Sequence, residues 1–141
     1  MGGLPVTTAW ETSVALDPAQ CLHLLSAARM GRVGLCTSDG PRILPVNYRI
    51  LDGNIVFRTG LYSSVAEGTR DDTVAFEADE VDDHMTSGWS VLVVGHAQHV
   101  EEHSDMAETF HRLNEPWAPG LRPVVVRITP SQITGRQFAR P

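Results

Sequence analysis

The sequence predicts a mainly β fold, a small antiparallel barrel that is closed or partly split. Three observations predict it. Short apolar segments alternate with tight turns along most of the chain, amphipathic helical segments are few and short, and 141 residues suffice for one core but not for two. Closing such strands into a barrel removes free sheet edges. We therefore expect one domain over residues 1–141, with a loose N-terminal segment over residues 1–15.

The first half of the chain predicts one helix and a three-stranded meander. Asp17 and Pro18 form a helix-start pattern, and apolar residues follow at helical spacing, so a helix is predicted over residues 18–28. Turn sequences at residues 38–40 and 52–53 separate the apolar segments that follow. The predicted strands cover residues 31–37, 41–51 and 54–59.

The second half predicts three further strands and two helices. A short helix is expected over residues 64–70 and another over residues 105–113. Strands are expected over residues 72–78 and 89–100, separated by an acidic loop over residues 79–88. A loop rich in Pro and Trp over residues 115–123 precedes the last strand, residues 124–128, which is expected to resume at residues 134–138.

A phosphate-binding site is predicted where the third strand meets the short helix. The strand ends in Arg58 and Thr59, and the helix begins near Ser63 and Ser64. Free backbone N–H groups, hydroxyls and a guanidinium are donors that suit phosphoryl oxygens. Alternatively, Ser64 and Glu67 form only a capping box that stabilises the helix.

The strand over residues 41–51 has two different faces because side chains alternate along a strand. One face is apolar and is predicted to join the core. The opposite face combines apolar and polar groups, and a flat heteroaromatic ligand could lie on it. The alternative is a half-exposed strand with a polar face. The core face carries Leu44, Val46, Tyr48 and Ile50, and the opposite face carries Ile43, Pro45, Asn47 and Arg49.

Composition excludes several classes of function. A net charge of −6 argues against a nucleic-acid partner, and no apolar segment is long enough to span a membrane. The N-terminus lacks the pattern of a signal peptide, so a cytoplasmic location is expected. The strand spacing of His96, His99 and His103 does not suit a metal site. No nucleophile elbow or P-loop is present, and we name no catalytic side chain.

Several motifs in order resemble one known family. They are the segment from Arg42 to Asn47, Phe57-Arg58-Thr59 followed by Ser63, Val74-Ala75-Phe76-Glu77, the segment from Gly88 to Gly95, and Val126-Arg127-Ile128-Thr129-Pro130 followed by residues 133–136. Together they look like the pyridoxamine 5′-phosphate oxidase-like FMN-binding split barrels, in a branch common in actinobacteria. The resemblance covers about residues 21–138. It implies a six-stranded antiparallel split β-barrel of Greek-key type with a few short helices.

The resemblance also implies a binding site and a partner. These barrels are homodimers with FMN at the interface, so Trp89 and Ser90 would contact the flavin of the partner subunit. Ser64 stands where the family usually has Lys or Arg, which removes one positive charge from the phosphate site. FMN is the expected cofactor, with FAD, a deazaflavin or haem as alternatives. The flavin would lie along Arg42, Ile43, Leu44, Pro45, Val46 and Asn47, and its phosphate would contact Arg58, Thr59, Ser63 and Ser64.

The function implied is that of a flavin-dependent oxidoreductase. Hydride would pass between the flavin and a small organic substrate, because the cofactor supplies the redox chemistry and the protein supplies position and electrostatics. Two alternatives remain open. One is a non-catalytic module that binds flavin or haem, and the other is a deazaflavin-dependent reductase.

Overall fold

The computed structural model of the chain describes residues 13–60, 63–84, 86–114 and 123–139. These residues form seven strands and three helices. In chain order they are β1 (Val14–Leu16), α1 (Pro18–Ala27), β2 (Met30–Thr37), β3 (Gly40–Leu51), β4 (Asn54–Thr59), α2 (Ser64–Gly68), β5 (Asp71–Val81), β6 (Ser87–His99), α3 (Asp105–Leu113) and β7 (Val124–Ala139).

Six of the strands form a closed ring. The order around the sheet is β7, β4, β3, β2, β5 and β6, and β6 pairs again with β7. Every recorded pairing is antiparallel. The prediction of a six-stranded antiparallel barrel with a few short helices is confirmed.

The turn between β3 and β4 shows how local sequence sets the strand register. Asp52 and Gly53 both have positive φ values, 52° and 76°. This conformation suits a two-residue hairpin, and Gly and Asp tolerate it better than other residues. The turn places Leu51 opposite Asn54 and Tyr48 opposite Phe57. The predicted bounds of the third strand, residues 54–59, are confirmed.

The acidic loop predicted over residues 79–88 is much shorter in the structure. β5 continues to Val81 and β6 begins at Ser87. The Asp82 carboxylate explains this, because its Oδ1 accepts hydrogen bonds from the backbone N–H groups of Thr86 (2.5 Å) and Ser87 (3.1 Å). These bonds close a tight turn, so the flanking acidic residues can extend the strand pairing.

The end of the chain also differs from the prediction, because β7 runs without a break from Val124 to Ala139. Pro130 lies opposite Gly95 of β6, where the pairing of the two strands shifts in register between Val94 and Gly95. This shift accommodates the proline, so β7 does not end there. The short strand β1 was not predicted. It pairs with β7 near Gly135 and falls at the end of the segment expected to be loose.

α2 begins at Ser64 as predicted, but it ends earlier, at Gly68. Its N-cap is Ser63, whose Oγ accepts a hydrogen bond from the Ala66 N–H at 3.0 Å, so the alternative in which Ser64 and Glu67 form a capping box is wrong. At its end, the buried hydroxyl of the C-cap residue Thr69 donates to the Val65 carbonyl at 2.6 Å.

The other two helices pack on different parts of the barrel. α1 has the predicted start, with Asp17 as N-cap in a full capping box, and it buries Cys21 and Leu25 in the main core. α3 packs outside β4 and β7, where Phe110 meets Val56 and Val125 in a second cluster. Among the described residues, no helix has the length and apolar character needed to cross a membrane.

Candidate functional site

β3 and β4 separate at one end, and a cavity lies beside this opening. Their recorded pairing covers only Tyr48–Leu51 with Asn54–Phe57. Beyond it, β3 continues along β2 and β4 continues along β7. A cavity of about 600 Å³ is lined from both sides of the split. This volume lies within the range of small-molecule sites.

The cavity wall combines five parts of the fold. β3 and the end of β4 form two sides, α3 contributes its C-terminal end, and α2 and the segment before β2 contribute one residue each. The lining residues are Arg29, Leu44, Pro45, Val46, Asn47, Tyr48, Arg49, Arg58, Thr59, Gly60, Val65, Phe110, Leu113 and Asn114.

Arg58 is the cation at the β4 side of the cavity. Its guanidinium carbon lies 5.9 Å from the ring centroid of Phe110, which fits a cation–π contact. Partial burial lowers the pKa of Arg58, since desolvation disfavours the charged form. A guanidinium nevertheless stays protonated in proteins. Arg58 is thus a partly desolvated cation that an anionic ligand would stabilise.

Two hydroxyl groups contact each other just after Arg58 in the chain. The Oγ1 of Thr59 and the Oγ of Ser63 are 3.0 Å apart, and Ser63 also caps α2. Hydroxyls rotate and can donate to an oxyanion. The side chain of Ser64 lies outside the described part of the chain. Arg58 and Thr59 both line the cavity, and Ser63 contacts Thr59, while their role toward a phosphate stays a prediction.

His99 holds the other end of α2. Its Nε2 lies 2.8 Å from the Ala66 carbonyl and 3.2 Å from Thr69 Oγ1. Because a carbonyl can only accept, Nε2 carries the proton in this arrangement. His96 instead pairs with Asp71 at 2.5 Å. Among the described residues, no group of three His, Cys, Asp or Glu side chains could hold a metal ion.

The predicted flavin-lining segment divides into two parts. Leu44, Pro45, Val46 and Asn47 line the cavity, whereas Arg42 and Ile43 lie beyond it toward the β2–β3 turn. The predicted inward and outward faces of this strand are confirmed, because Val46 and Tyr48 are buried while Ile43, Pro45 and Asn47 are exposed.

The residues predicted to act from a partner subunit lie away from this cavity. Trp89 is buried, with its indole N–H donating to Glu80 at 3.3 Å. Ser90 lines a different groove, together with Leu92 and Arg136. The roles of Trp89, Ser90, Arg42 and Ile43 toward a flavin stay predictions.

Sequence reasoning missed several lining residues. Arg49 was placed on the correct face by alternation, but no role was given to it. Arg29 and the end of α3 carry no local signal, because only the closed barrel brings them to β3. Among the described residues, the wall of the cavity contains three of the chain's eleven arginines and none of its seventeen carboxylate side chains. In a chain of net charge −6, this wall favours an anionic ligand.

The fold and the site together define a class: a split β-barrel with a cationic cavity where two strands separate. Residues 17–137 match the family model described as pyridoxamine 5′-phosphate oxidase. The chain belongs to the pyridoxamine 5′-phosphate oxidase-like family.

Individual relatives agree with this assignment. An uncharacterized protein of Mycobacterium tuberculosis is 35% identical over 127 residues, which cover 86% of this chain and 83% of the relative. The FAD binding protein of Mycobacterium smegmatis has a TM-score of 0.79 and 31% identity, covering 91% of this chain and all of the other. A Corynebacterium glutamicum protein provisionally named pyridoxamine 5′-phosphate oxidase has a TM-score of 0.77 and 34% identity, covering 92% and 96%.

Proposed function

We propose that the chain binds a phosphorylated flavin in the cavity between β3 and β4 and uses it as an oxidoreductase. The observation that carries the proposal is that Arg58 and Thr59 line the same cavity as Leu44–Asn47. The Oγ of Ser63 lies 3.0 Å from the Oγ1 of Thr59. Family membership and the likeness to a FAD binding protein support a flavin as the ligand.

The cavity residues suit the two ends of a flavin. Arg58 with the two hydroxyls would hold a phosphate through charge-assisted hydrogen bonds. The backbone of residues 44–47 has no recorded pairing on the β4 side, which leaves polar groups for the rim of a heteroaromatic ring. Leu44 and Pro45 offer apolar contact to its plane.

The protein's part in the reaction would be to bind and orient. A bound flavin supplies hydride transfer, so the side chains need only hold it and exclude water. A small organic substrate would enter beside the ring, and Phe110 and Leu113 make that side of the cavity partly apolar. FMN is the cofactor proposed first, and FAD is the alternative that the Mycobacterium smegmatis relative supports.

We also propose a homodimer. Met30, Ile43 and Leu92 are exposed by 53%, 74% and 45%, and strand alternation puts all three on the outer face of the barrel. Pro45 belongs to the same face and also lines the cavity. A second copy packed here would cover this apolar surface and bring its own Ser90 near the cavity rim.

The test compares FMN with riboflavin, which lacks the phosphate. Arg58→Gln should weaken FMN binding by about tenfold to a hundredfold, the effect of one lost charge-assisted hydrogen bond. Riboflavin binding should change little, because it makes no phosphate contact. Flavin fluorescence quenching measures both dissociation constants.

Arg112→Gln is the matched control, because it removes the same charge from the exposed side of α3. Equal losses for FMN and riboflavin would show that Arg58 acts through folding rather than through the phosphate. If the wild-type protein bound neither flavin, the proposed function would be wrong.

A further inference from the structure

We propose that the cavity has a second anion-binding position, formed by Arg29 and Arg49 and separate from the position at Arg58. Its ligand chemistry is a second phosphate or carboxylate group, carried either by the cofactor or by the substrate. The inference deepens the proposed function, because it concerns the same cavity, but it rests on residues to which no phosphate contact was assigned.

Arg49 lies on the same outer face as Arg58 but at a different place. Arg49 is opposite Val56, two residues before Arg58 on β4. Diagonal neighbours of this kind are about 7–8 Å apart, and the strands begin to separate at this point. One phosphate held between Thr59 and Arg58 would therefore leave Arg49 free to hold another group.

Arg29 lies on the β2 side of Tyr48, whereas Arg58 lies on the β4 side. The Arg29 backbone carbonyl accepts a hydrogen bond from the Tyr48 N–H at 3.0 Å, and its side chain lines the cavity. Among the described residues, the Arg29 side chain has no hydrogen bond or ion pair. It brings a guanidinium to the same cavity wall as Arg49, and the Arg29 backbone is hydrogen-bonded to the residue before Arg49.

Arg49 is oriented but still has donors to offer. Its Nη2 donates to the Leu113 carbonyl at 2.8 Å, the last residue of α3. A guanidinium has five N–H groups in a fixed plane, so this bond fixes the group and leaves others for a ligand. The bond also holds the end of α3 at the cavity rim.

The charge balance of the cavity favours two anionic groups over one. Three guanidinium groups line it, and no carboxylate does among the described residues. Burial lowers the pKa of Arg58, so an anionic group beside it would offset the cost of its desolvation. A single phosphate carries at most two negative charges, and it could reach only the nearer cations.

The decisive experiment uses flavin-free protein and two simple anions. Calorimetric titration should show that pyrophosphate binds at least about tenfold more tightly than inorganic phosphate, since it can engage both positions. Arg29→Gln should reduce this preference to less than about threefold, because one position loses a charge-assisted partner. Arg112→Gln should keep the preference.

Two outcomes would overturn the proposal: no preference for pyrophosphate in the wild-type protein, or an unchanged preference in both Arg29→Gln and Arg49→Gln. Circular dichroism of each variant checks folding, and Arg29→Gln is the cleaner test because Arg49 also contacts α3. A pyrophosphate preference that depends on Arg29 in a protein that binds no flavin would support this inference and overturn the proposed function.

A second arm identifies the source of the anion. If Arg29→Gln weakens FAD binding about tenfold and FMN binding much less, the second group belongs to a dinucleotide cofactor. The other possibility is that both flavins bind normally to Arg29→Gln. If the FMN-loaded wild-type protein then binds phosphate and the FMN-loaded variant does not, the second group belongs to the substrate. Both results support the second position.

Discussion

At the scale of single residues, Tyr48 shows how one side chain ties a helix to the barrel. Strand alternation turns it inward, and it is only 2% exposed. Its hydroxyl donates to the Leu25 carbonyl at 2.6 Å, and its ring meets the edge of Phe76. Burial, with a smaller effect from Glu80, raises the pKa of Tyr48 to about 12, so the hydroxyl keeps its proton.

Tyr48→Phe should therefore lower the free energy of unfolding by about 1–2 kcal/mol, because the Leu25 carbonyl loses its buried donor while the ring packing is kept. Urea denaturation followed by circular dichroism measures the change. Tyr48→Leu should cost more, since it also leaves a cavity. Equal losses in the two variants would mean that the hydroxyl contributes nothing.

Glu77 is a second residue whose environment has a measurable consequence. Its Oε1 is buried without a hydrogen-bond partner among the described residues. Burial and then the neighbouring Asp79 raise the pKa of Glu77 to about 7, although Arg32, at 3.2 Å, opposes the shift. The folded protein thus binds this proton more tightly than the unfolded chain does.

The sign of the pH dependence follows from this shift. As pH rises from about 4.5 to about 7, Glu77 loses its proton first in the unfolded chain, so its contribution to stability falls over that window and is constant above it. Glu77→Gln should weaken this fall. Urea midpoints at pH 5 and pH 8 test the prediction, and an identical fall in the variant would contradict it.

At the scale of secondary structure, the irregularity in β6 depends on a glycine. A Cβ on Gly95 would lie 2.5 Å from the Thr129 carbonyl oxygen, at the register shift that faces Pro130. The backbone cannot give way here without disturbing the pairing of β6 with β7. Gly95 is therefore required by a close approach between two strands.

Gly95→Ala should destabilise the fold by about 1–3 kcal/mol, as other forced overpacking does. Gly34→Ala is the matched control, because a Cβ at Gly34 would meet the Ala75 Cβ at 3.7 Å, an ordinary contact. Thermal unfolding of both variants gives the comparison. Similar melting temperatures for the two would show that β6 and β7 can separate at little cost.

At the scale of the whole molecule, β7 closes the barrel. Its first five residues pair with β4, and most of its length pairs with β6. Closure fixes which face of each strand is outside, and α3 covers only the part over β4 and β7. The outer face around Ile43 and Leu92 is left exposed in a single chain.

The proposed homodimer predicts the effect of a charge on this face. Ile43→Asp should shift the wild-type dimer toward monomer, because a carboxylate would be buried without a partner. Val14→Asp is the control: Val14 is 68% exposed and lies opposite Gln137, on the other side of the sheet. Sedimentation velocity measures both, and a monomeric wild-type protein would contradict the proposal.

Much of the fold could be predicted from the sequence because it depends on short-range patterns. The bounds of β4 and α3 matched the prediction, since a hairpin turn and a helical apolar spacing are written in neighbouring residues. The errors occurred where strand pairing and one side-chain turn decide. β5 and β6 were extended by the Asp82 turn and by their pairing, and β1 forms only because β7 is there to pair with it.

The sequence by itself determined six of the seven described strands in outline, the barrel class, and Arg58, Thr59 and Ser63 as candidate phosphate donors, because each depends mainly on residues close together in the chain. Only the tertiary structure decided that Arg29, Arg49 and the end of α3 share a cavity with Arg58 and Thr59 and that Arg42 does not line it. The reason is physical: alternation fixes the face on which a side chain lies, but the separation of β3 from β4 and the docking of α3 fix its neighbours.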